Sequence, residues 1–266
     1  RTGLKILHVV RDLDPRSGGL ATAVLGIAKT QAELGHEVTI AATDYGCDKP
    51  PDIHGVRFNL FHSDFGLWRW SKAMARHLPS LIQETQIIHI HALWEFPALL
   101  AARLCKKMNK PYILTPHGML HKTSLMKQKL KKKVYLGLFG DVLLGNASAI
   151  HFTSKLERRY SRSLRSRHKN FIASLGVSFS DYQSLPSREA FGEKFPKVKN
   201  HRFVLFLGRL HPKKRPEMLI EAFSRIAPRK KGVFLVMVGT GEESYINELK
   251  KLVNRLKLNE RVIFTG

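Results

Sequence analysis

Phe203-Val204-Leu205-Phe206-Leu207-Gly208-Arg209-Leu210-His211-Pro212-Lys213-Lys214-Arg215-Pro216-Glu217-Met218-Leu219-Ile220-Glu221-Ala222-Phe223 changes its periodicity midway, and that change decides the fold. The first five residues are an unbroken apolar run, as in a strand covered on both faces. Gly208 ends the run, and from Lys214 onward Leu219, Ile220 and Phe223 recur at helical spacing. A strand (Phe203 to Gly208) passing through a short loop into an amphipathic helix (Lys214 to Ala227) is half of a βαβ unit, which predicts a parallel sheet.

The same rhythm extends in both directions. Downstream, Val233 to Gly239 reads as a strand, Glu243 to Leu256 as a helix and Val262 to Thr265 as a strand. Upstream, strands are expected at Lys5 to Val10, Glu37 to Thr43, Val56 to Phe61, Ile87 to Ala92, Tyr112 to His117 and Ala149 to Ser154. Helices are expected at Gly19 to Leu34, Leu67 to Glu84, Pro97 to Met108, Ser124 to Gly145 and Lys155 to Arg167. Between the two series, residues 177–201 lose periodicity and are rich in Ser, Pro, Lys and Phe, which reads as a linker. The expected organisation is an α/β chain with a doubly wound, Rossmann-like domain over 1–176 and an incomplete second Rossmann-like domain over 202–266. Three strands and two helices leave a sheet edge and an apolar face open in that second domain, so the chain is expected to stop before the domain is complete.

Composition narrows the function. Against 21 Asp and Glu stand 45 Lys and Arg, a formal net charge of +24, so an anionic partner is expected: nucleic acid, lipid headgroups or a phosphorylated substrate. The two cysteines, Cys47 and Cys105, are far apart and outside any zinc-ligand spacing, which fits a reducing cytoplasm and assigns no metal. No apolar stretch reaches the roughly 20 residues of a membrane-spanning helix. The chain opens directly into a strand, leaving no room for a signal peptide.

Four places carry candidate chemistry. Ser17-Gly18-Gly19 after the first strand reads either as an anion-accommodating turn at a helix start or as a plain tight turn. His117 stands at the carboxyl end of a core strand, where such sheets place ligand contacts. His89 and His91, on the strand before it, read as core packing. At Gly208-Arg209 through Lys214, a strand ends beside a guanidinium and a lysine stands where the next helix begins, which suits a diphosphate. A solvated basic loop is the plainer alternative. Gly239-Thr240-Gly241 invites a dinucleotide-binding reading, but lacks the third glycine and an acidic residue on the next strand.

These residues resemble the retaining glycosyltransferases of family four, in particular their exopolysaccharide and lipopolysaccharide branches. The resemblance rests on Gly18-Gly19, His91 to Trp94, Thr115 to Leu120, Ala149 to Ser154, Gly208-Arg209 with Lys214, and Val238 to Gly241, in order and spacing over nearly the whole chain. It implies a GT-B fold and transfer of a hexosyl unit, with retention and without metal or other cofactor. The donor would be a UDP- or GDP-linked sugar and the acceptor a polysaccharide or lipid-linked saccharide. By resemblance, Arg209 and Lys214 bind the donor diphosphate, Gly18, Gly19, Gly208, Gly239 and Gly241 border donor and acceptor, and His117 lies beside the transferred sugar. Two departures stand out: Leu175 occupies a position where the family commonly has Asn, and the family's downstream pair of glutamates has no counterpart before Gly266.

A basic stripe completes the reading. Lys127, Lys129, Lys131, Lys132 and Lys133 interleave with Leu130, Val134, Tyr135, Leu138 and Phe139, and Arg158, Arg159, Arg162, Arg165, Arg167 and Lys169 follow. An amphipathic basic helix predicts peripheral contact with an anionic membrane, here the inner face. The alternatives are a basic nucleic-acid-binding α/β protein, for which no recognition motif is present, and a non-catalytic fragment of a GT-B enzyme.

Overall fold

The computed structural model describes residues 3–15, 18–66, 68–161 and 169–266. The chain divides into two compact units, Arg1–Ser178 and Phe179–Gly266.

The first unit runs β1 (Lys5–Asp12), α1 (Gly19–Glu33), β2 (Glu37–Thr43), β3 (Val56–Phe61), α2 (Lys72–Glu84), β4 (Ile87–His91), α3 (Phe96–Lys107), β5 (Tyr112–Thr115), α4 (Lys122–Met126), α5 (Lys129–Gly140), β6 (Ala149–Phe152), α6 (Lys155–Tyr160) and β7 (Asn170–Ile172). The strands form one parallel sheet in the order β3-β2-β1-β4-β5-β6-β7. The order reverses between β1 and β4, the place where doubly wound sheets open a crevice at their carboxyl ends.

The two sheet faces are chemically different. Leu7, Val9, Ile88, Ile90, Leu114, Ile150 and Phe152 pack with Met74, Leu78 and Ile82 of α2 and Leu99, Ala102 and Cys105 of α3. On the other face Val10, Val38, Ile40 and Ala42 pack with Ala21, Val24 and Ala28 of α1. Neighbouring strand residues alternate between faces. His8, His89, His91, Thr115 and His151 therefore line the α1 side, and all five are buried.

Several elements differ from expectation. The helix expected from Leu67 starts at Lys72, because Ser71 accepts a hydrogen bond from Met74 N and caps it, while Phe65 pairs with Trp70 in the preceding turn. The helix expected over Ser124 to Gly145 is broken: Lys127 is extended and Gln128 adopts φ 53°, so α4 and α5 are separate, and a wider π turn (Asp141–Gly145) ends the run. Strand β7, of three residues, was not anticipated. Ser17, Leu67, Arg162, Arg165 and Arg167 lie outside the described residues.

The second unit contains α7 (Arg188–Lys194), β8 (Arg202–Leu207), α8 (Pro216–Ile226), β9 (Val233–Val238), α9 (Glu243–Arg255) and β10 (Val262–Phe264), with a parallel sheet ordered β10-β9-β8. Helix α7 falls within the stretch read as linker. Ser187 caps it, and Phe191 stacks near Phe203 of β8, ring centres 5.5 Å apart. Leu235, Met237, Ile220, Phe223, Leu249 and Val253 form the core, with Val204 and Phe206 against it. The alternate residues Leu205 and Leu207 stay 51% and 76% exposed, an open apolar face.

Candidate functional site

On the α1 side of the first sheet, imidazoles replace the apolar core. His8 Nε2 lies 2.7 Å from Gln31 Oε1 of α1, His8 Nδ1 2.9 Å from His91 Nε2, and His91 Nδ1 3.0 Å from His117 Nε2. A second branch runs from His89 Nε2 to Thr115 Oγ1 at 2.6 Å, on to His151 Nδ1 at 2.9 Å, and from His151 Nε2 to the Ala173 carbonyl at 2.8 Å. Register explains the assembly: His8 sits opposite His89, and His91 opposite Thr115. Burial disfavours the charged ring, so it pulls His8 and His117 each down to about 4, the latter opposed by Glu157. Burial, reinforced by the neighbouring imidazoles, also holds His89 and His91 well below the ordinary range.

His117, the expected site residue, leaves β5 with φ 48°, followed by Gly118 at φ 74°. Gly118 N donates to Glu157 Oε1 (2.6 Å), while Glu157 Oε2 accepts from both Thr153 N and Thr153 Oγ1 at 2.7 Å. That carboxylate ties the loop after β5 to the start of α6 and holds His117 in a left-handed conformation non-glycine residues rarely adopt. His8, Gln31 and Glu157 were not singled out by the sequence, and Thr115 and His151 entered only within the stretches Thr115 to Leu120 and Ala149 to Ser154 that carry the resemblance. The period-two spacing of His89 and His91 was the signal that pointed to them.

Gly18, the N-cap of α1, holds φ 98°, and Gly19 begins the helix with open space where a side chain would stand. Gly18 is therefore required by the backbone, whereas Gly19 leaves room at a helix start. At the end of β1, Asp12 accepts from Arg69 Nε at 2.8 Å, and the Arg69 guanidinium lies 3.4 Å from the Tyr45 ring centre. Arg11 reaches Glu95 at 3.4 Å, whose carboxyl is raised by burial against the opposing pull of Arg11. A separate cleft lined by Lys5, Glu37, Arg57 and Glu84 opens at the amino ends of β1 to β3 and shares no residue with the histidines.

In the second unit, β8 ends at Leu207, Gly208 follows, and the chain turns through Pro212–Lys214 before α8. Lys214 is the last residue of that turn, two positions before the helix starts, and not its first residue as expected; Arg215, at φ 54°, is the N-cap. Four cations compete for this loop, and Arg215 is engaged: its Nε lies 2.7 Å from Glu217 Oε1, and Glu217 also accepts from Tyr245. Arg209, Lys213 and Lys214 are exposed and have no acidic partner among the described residues. Gly239 and Gly241 acquire a plain reason. Leu210 N donates to Thr240 O at 2.8 Å, and a Cβ on either glycine would overlap the carbonyl of Gly208 or Leu210. Their lack of a side chain lets the loop after β9 lie along the Arg209 loop.

Three histidines, His8, His89 and His91, offer ring nitrogens within 4.8 Å of one another and so form a candidate metal group, where the sequence had assigned none. On α5, Tyr135 and Phe139 face the core, Tyr135 O–H donating to Leu93 O. Leu130, Val134 and Leu138, four residues apart along α5, are 76%, 53% and 67% exposed, and Met126 at the end of α4 is exposed as well. Lys127, Lys129, Lys131 and Lys133 are exposed beside them, but Lys132 turns inward, 2.5 Å from Ser124 O and 5.4 Å from the Trp94 ring centre. Among the described residues no helix is long and apolar enough to cross a membrane.

Comparison with known proteins adds the lineage. The family model for Glycosyltransferase Family 4 matches residues 17–178, more than half of the chain, and that for Glycosyl transferases group 1 matches 187–266. An alpha-monoglucosyldiacylglycerol synthase of Streptococcus pneumoniae is 22% identical, over 95% of this chain and 59% of that relative. An uncharacterized glycosyltransferase of Methanocaldococcus jannaschii is 24% identical, over 99% and 69%. The chain thus spans about three fifths of the first of these relatives. Among solved structures, Anabaena HepE in complex with UDP and glucose superposes with a TM-score of 0.75 at 18% identity, covering 99% of this chain and 69% of that one. Sucrose-phosphate synthase of Thermosynechococcus elongatus gives 0.71 at 18%, covering 100% and 70%. These structures share the two-domain, Rossmann-like GT-B architecture.

Proposed function

We propose that this chain, which belongs to glycosyltransferase family 4, serves to move a hexosyl unit from a UDP- or GDP-linked sugar to a saccharide or lipid-linked acceptor. The observation that carries this is the loop after β8, where Arg209 and Lys214 stand without carboxylate partners among the described residues while the neighbouring Arg215 is consumed by Glu217. A guanidinium fork and an ammonium beside a helix start match a diphosphate in geometry and charge. As the sugar leaves, negative charge grows on that diphosphate, and Arg209, Lys214 and the amino end of α8 stabilise it where a divalent ion would elsewhere. The acceptor oxygen bonds to the anomeric carbon on the face from which the diphosphate oxygen departs, its proton passing to that phosphate, and attack on the leaving-group face gives retention. In the first unit, His117 and the Gly18-Gly19 turn are assigned to the sugar and acceptor. The HepE structure holding UDP and glucose supports a UDP-linked donor.

The streptococcal relative's name supports a lipid acceptor. The α5 surface agrees, since an exposed apolar stripe flanked by Lys127, Lys129, Lys131 and Lys133 suits peripheral binding to an anionic bilayer. Calorimetric titration with UDP and GDP tests the donor site. Arg209→Ala and Lys214→Ala should each weaken binding at least about tenfold, the effect of losing a charge-assisted contact. Arg215→Ala should change it little. Equal affinity in all four proteins refutes the assignment.

A further inference from the structure

The buried polar layer over β1, β4, β5 and β6 has more order than a packed core needs. We propose that Gln31, His8 and His91 form a hydrogen-bonded relay that fixes the ring tautomer of His117, which makes His91 a positioning residue for transfer. The inference rests on the reading above that His117 meets the sugar. Its members come from α1, β1, β4 and the loop after β5, joined by contacts of 2.7, 2.9 and 3.0 Å.

The relay works because a neutral imidazole has one N–H and one lone pair, so fixing a proton at one end fixes every other. Gln31 Oε1 accepts from His8 Nε2–H. His8 Nδ1 is then a lone pair, filled by His91 Nε2–H. His91 Nδ1 in turn accepts from His117 Nε2–H. What remains is His117 Nδ1, an acceptor without a partner among the described residues and available to a sugar hydroxyl. Proton positions follow from the network of partners.

The second branch is ordered by the same logic from a fixed end. Ala173 O can only accept, so His151 carries its proton on Nε2 and accepts a hydrogen bond from the Thr115 hydroxyl at Nδ1. Thr115 Oγ1 must then accept from His89 Nε2–H. His89 Nδ1 is then a bare lone pair, so His89 brings no second N–H into the layer. Desolvation, which disfavours the charged ring at His8, His89, His91 and His117, keeps every link neutral and so directional.

A metal ion is the rival occupant. Two nitrogens bound to one tetrahedral zinc at about 2.0–2.1 Å would stand about 3.3 Å apart. His8 Nδ1 and His91 Nε2 are 2.9 Å apart, the length of an N–H···N hydrogen bond, and an ion there would displace the proton that joins them.

Long-range proton–nitrogen NMR of the histidine-labelled chain reads tautomers directly. His117 should show one neutral tautomer, protonated on Nε2. Gln31→Leu, half-buried on α1 and out of contact with His117, should introduce a resolvable second tautomer at His117. His91→Leu should do the same, and His91→Asn, which retains an acceptor facing His117, should restore the single form. With UDP-sugar and acceptor, Gln31→Leu should lower kcat roughly tenfold, about 1.4 kcal/mol, with donor KM unchanged. Unaltered His117 signals in both leucine variants overturn the relay, as does stoichiometric zinc in the purified protein. A fixed tautomer in a protein that transfers no sugar would instead sink only the functional reading.

Discussion

Lowering the pH from 7.5 to 5.5 should destabilise the first unit selectively. In the fold His8 and His117 are pulled to about 4, while in the unfolded chain each returns to 6.5. Between those values the unfolded chain binds more protons, so their contribution is fully present above pH 6.5 and is lost as the pH falls toward 4. At pH 5.5, one unit below the unfolded value, each costs about 1.4 kcal/mol and the two together about 3 kcal/mol. His89 and His91 act in the same direction. Glu95, whose carboxyl is raised by burial, acts in the opposite one. With a urea slope of about 2 kcal/mol/M, the midpoint should drop by roughly 1.5 M. Trp68, Trp70 and Trp94 all lie in the first unit, so tryptophan fluorescence reports it alone. His8→Gln should be weaker at pH 7.5 but lose less on acidification. A wild-type midpoint that is flat between pH 7.5 and 5.5 would refute the claim that the layer is held neutral.

Two further outcomes concern packing and surface. Gly239→Ala places a methyl against the Gly208 carbonyl at φ 132° and should destabilise the second unit by about 2–4 kcal/mol, whereas exposed Thr240→Ala should cost under about 1 kcal/mol; urea unfolding followed by circular dichroism separates the two. Replacing Lys127, Lys129, Lys131 and Lys133 with Gln should weaken flotation with anionic vesicles by up to about 4 kcal/mol at low salt, at about 1 kcal/mol per lysine. Lys132→Gln should act mainly on stability through its hydrogen bond to Ser124 O.

The sheet was legible where apolar runs were long and bounded. Glu37–Thr43 and Val56–Phe61 were read to the residue: β-branched and apolar residues fill the first, and in the second, an edge strand, Val56, Phe58 and Leu60 alternate with Arg57 and Asn59, the period-two pattern of a strand with one open face. Asn170–Ile172 was too short to stand out from its surroundings. The break at Gln128 was invisible, since Lys127 to Lys133 consists of good helix formers and the left-handed residue is imposed by its surroundings.

For the candidate site, the motif around Gly208 and Arg209 was visible, but the cation removed from it by Glu217 was not. Gly239 and Gly241 looked like a fragment of a nucleotide motif, and the close approach of two backbones accounts for them. His89 and His91 were noticed and read as core packing. Their role emerges only when the sheet order places β4 beside β1, joining residues some eighty positions apart.

The central claim is that the loop after β8 binds the diphosphate of a nucleotide sugar. Amide NMR of the chain during titration with UDP-glucose and GDP-mannose tests it most directly. The account predicts saturable shifts at Gly208 to Lys214 and at Gly239 to Gly241 with one of the two donors, abolished in Arg209→Ala. Saturation with shifts confined to other residues, or no shift there at millimolar concentrations of either donor, would contradict it.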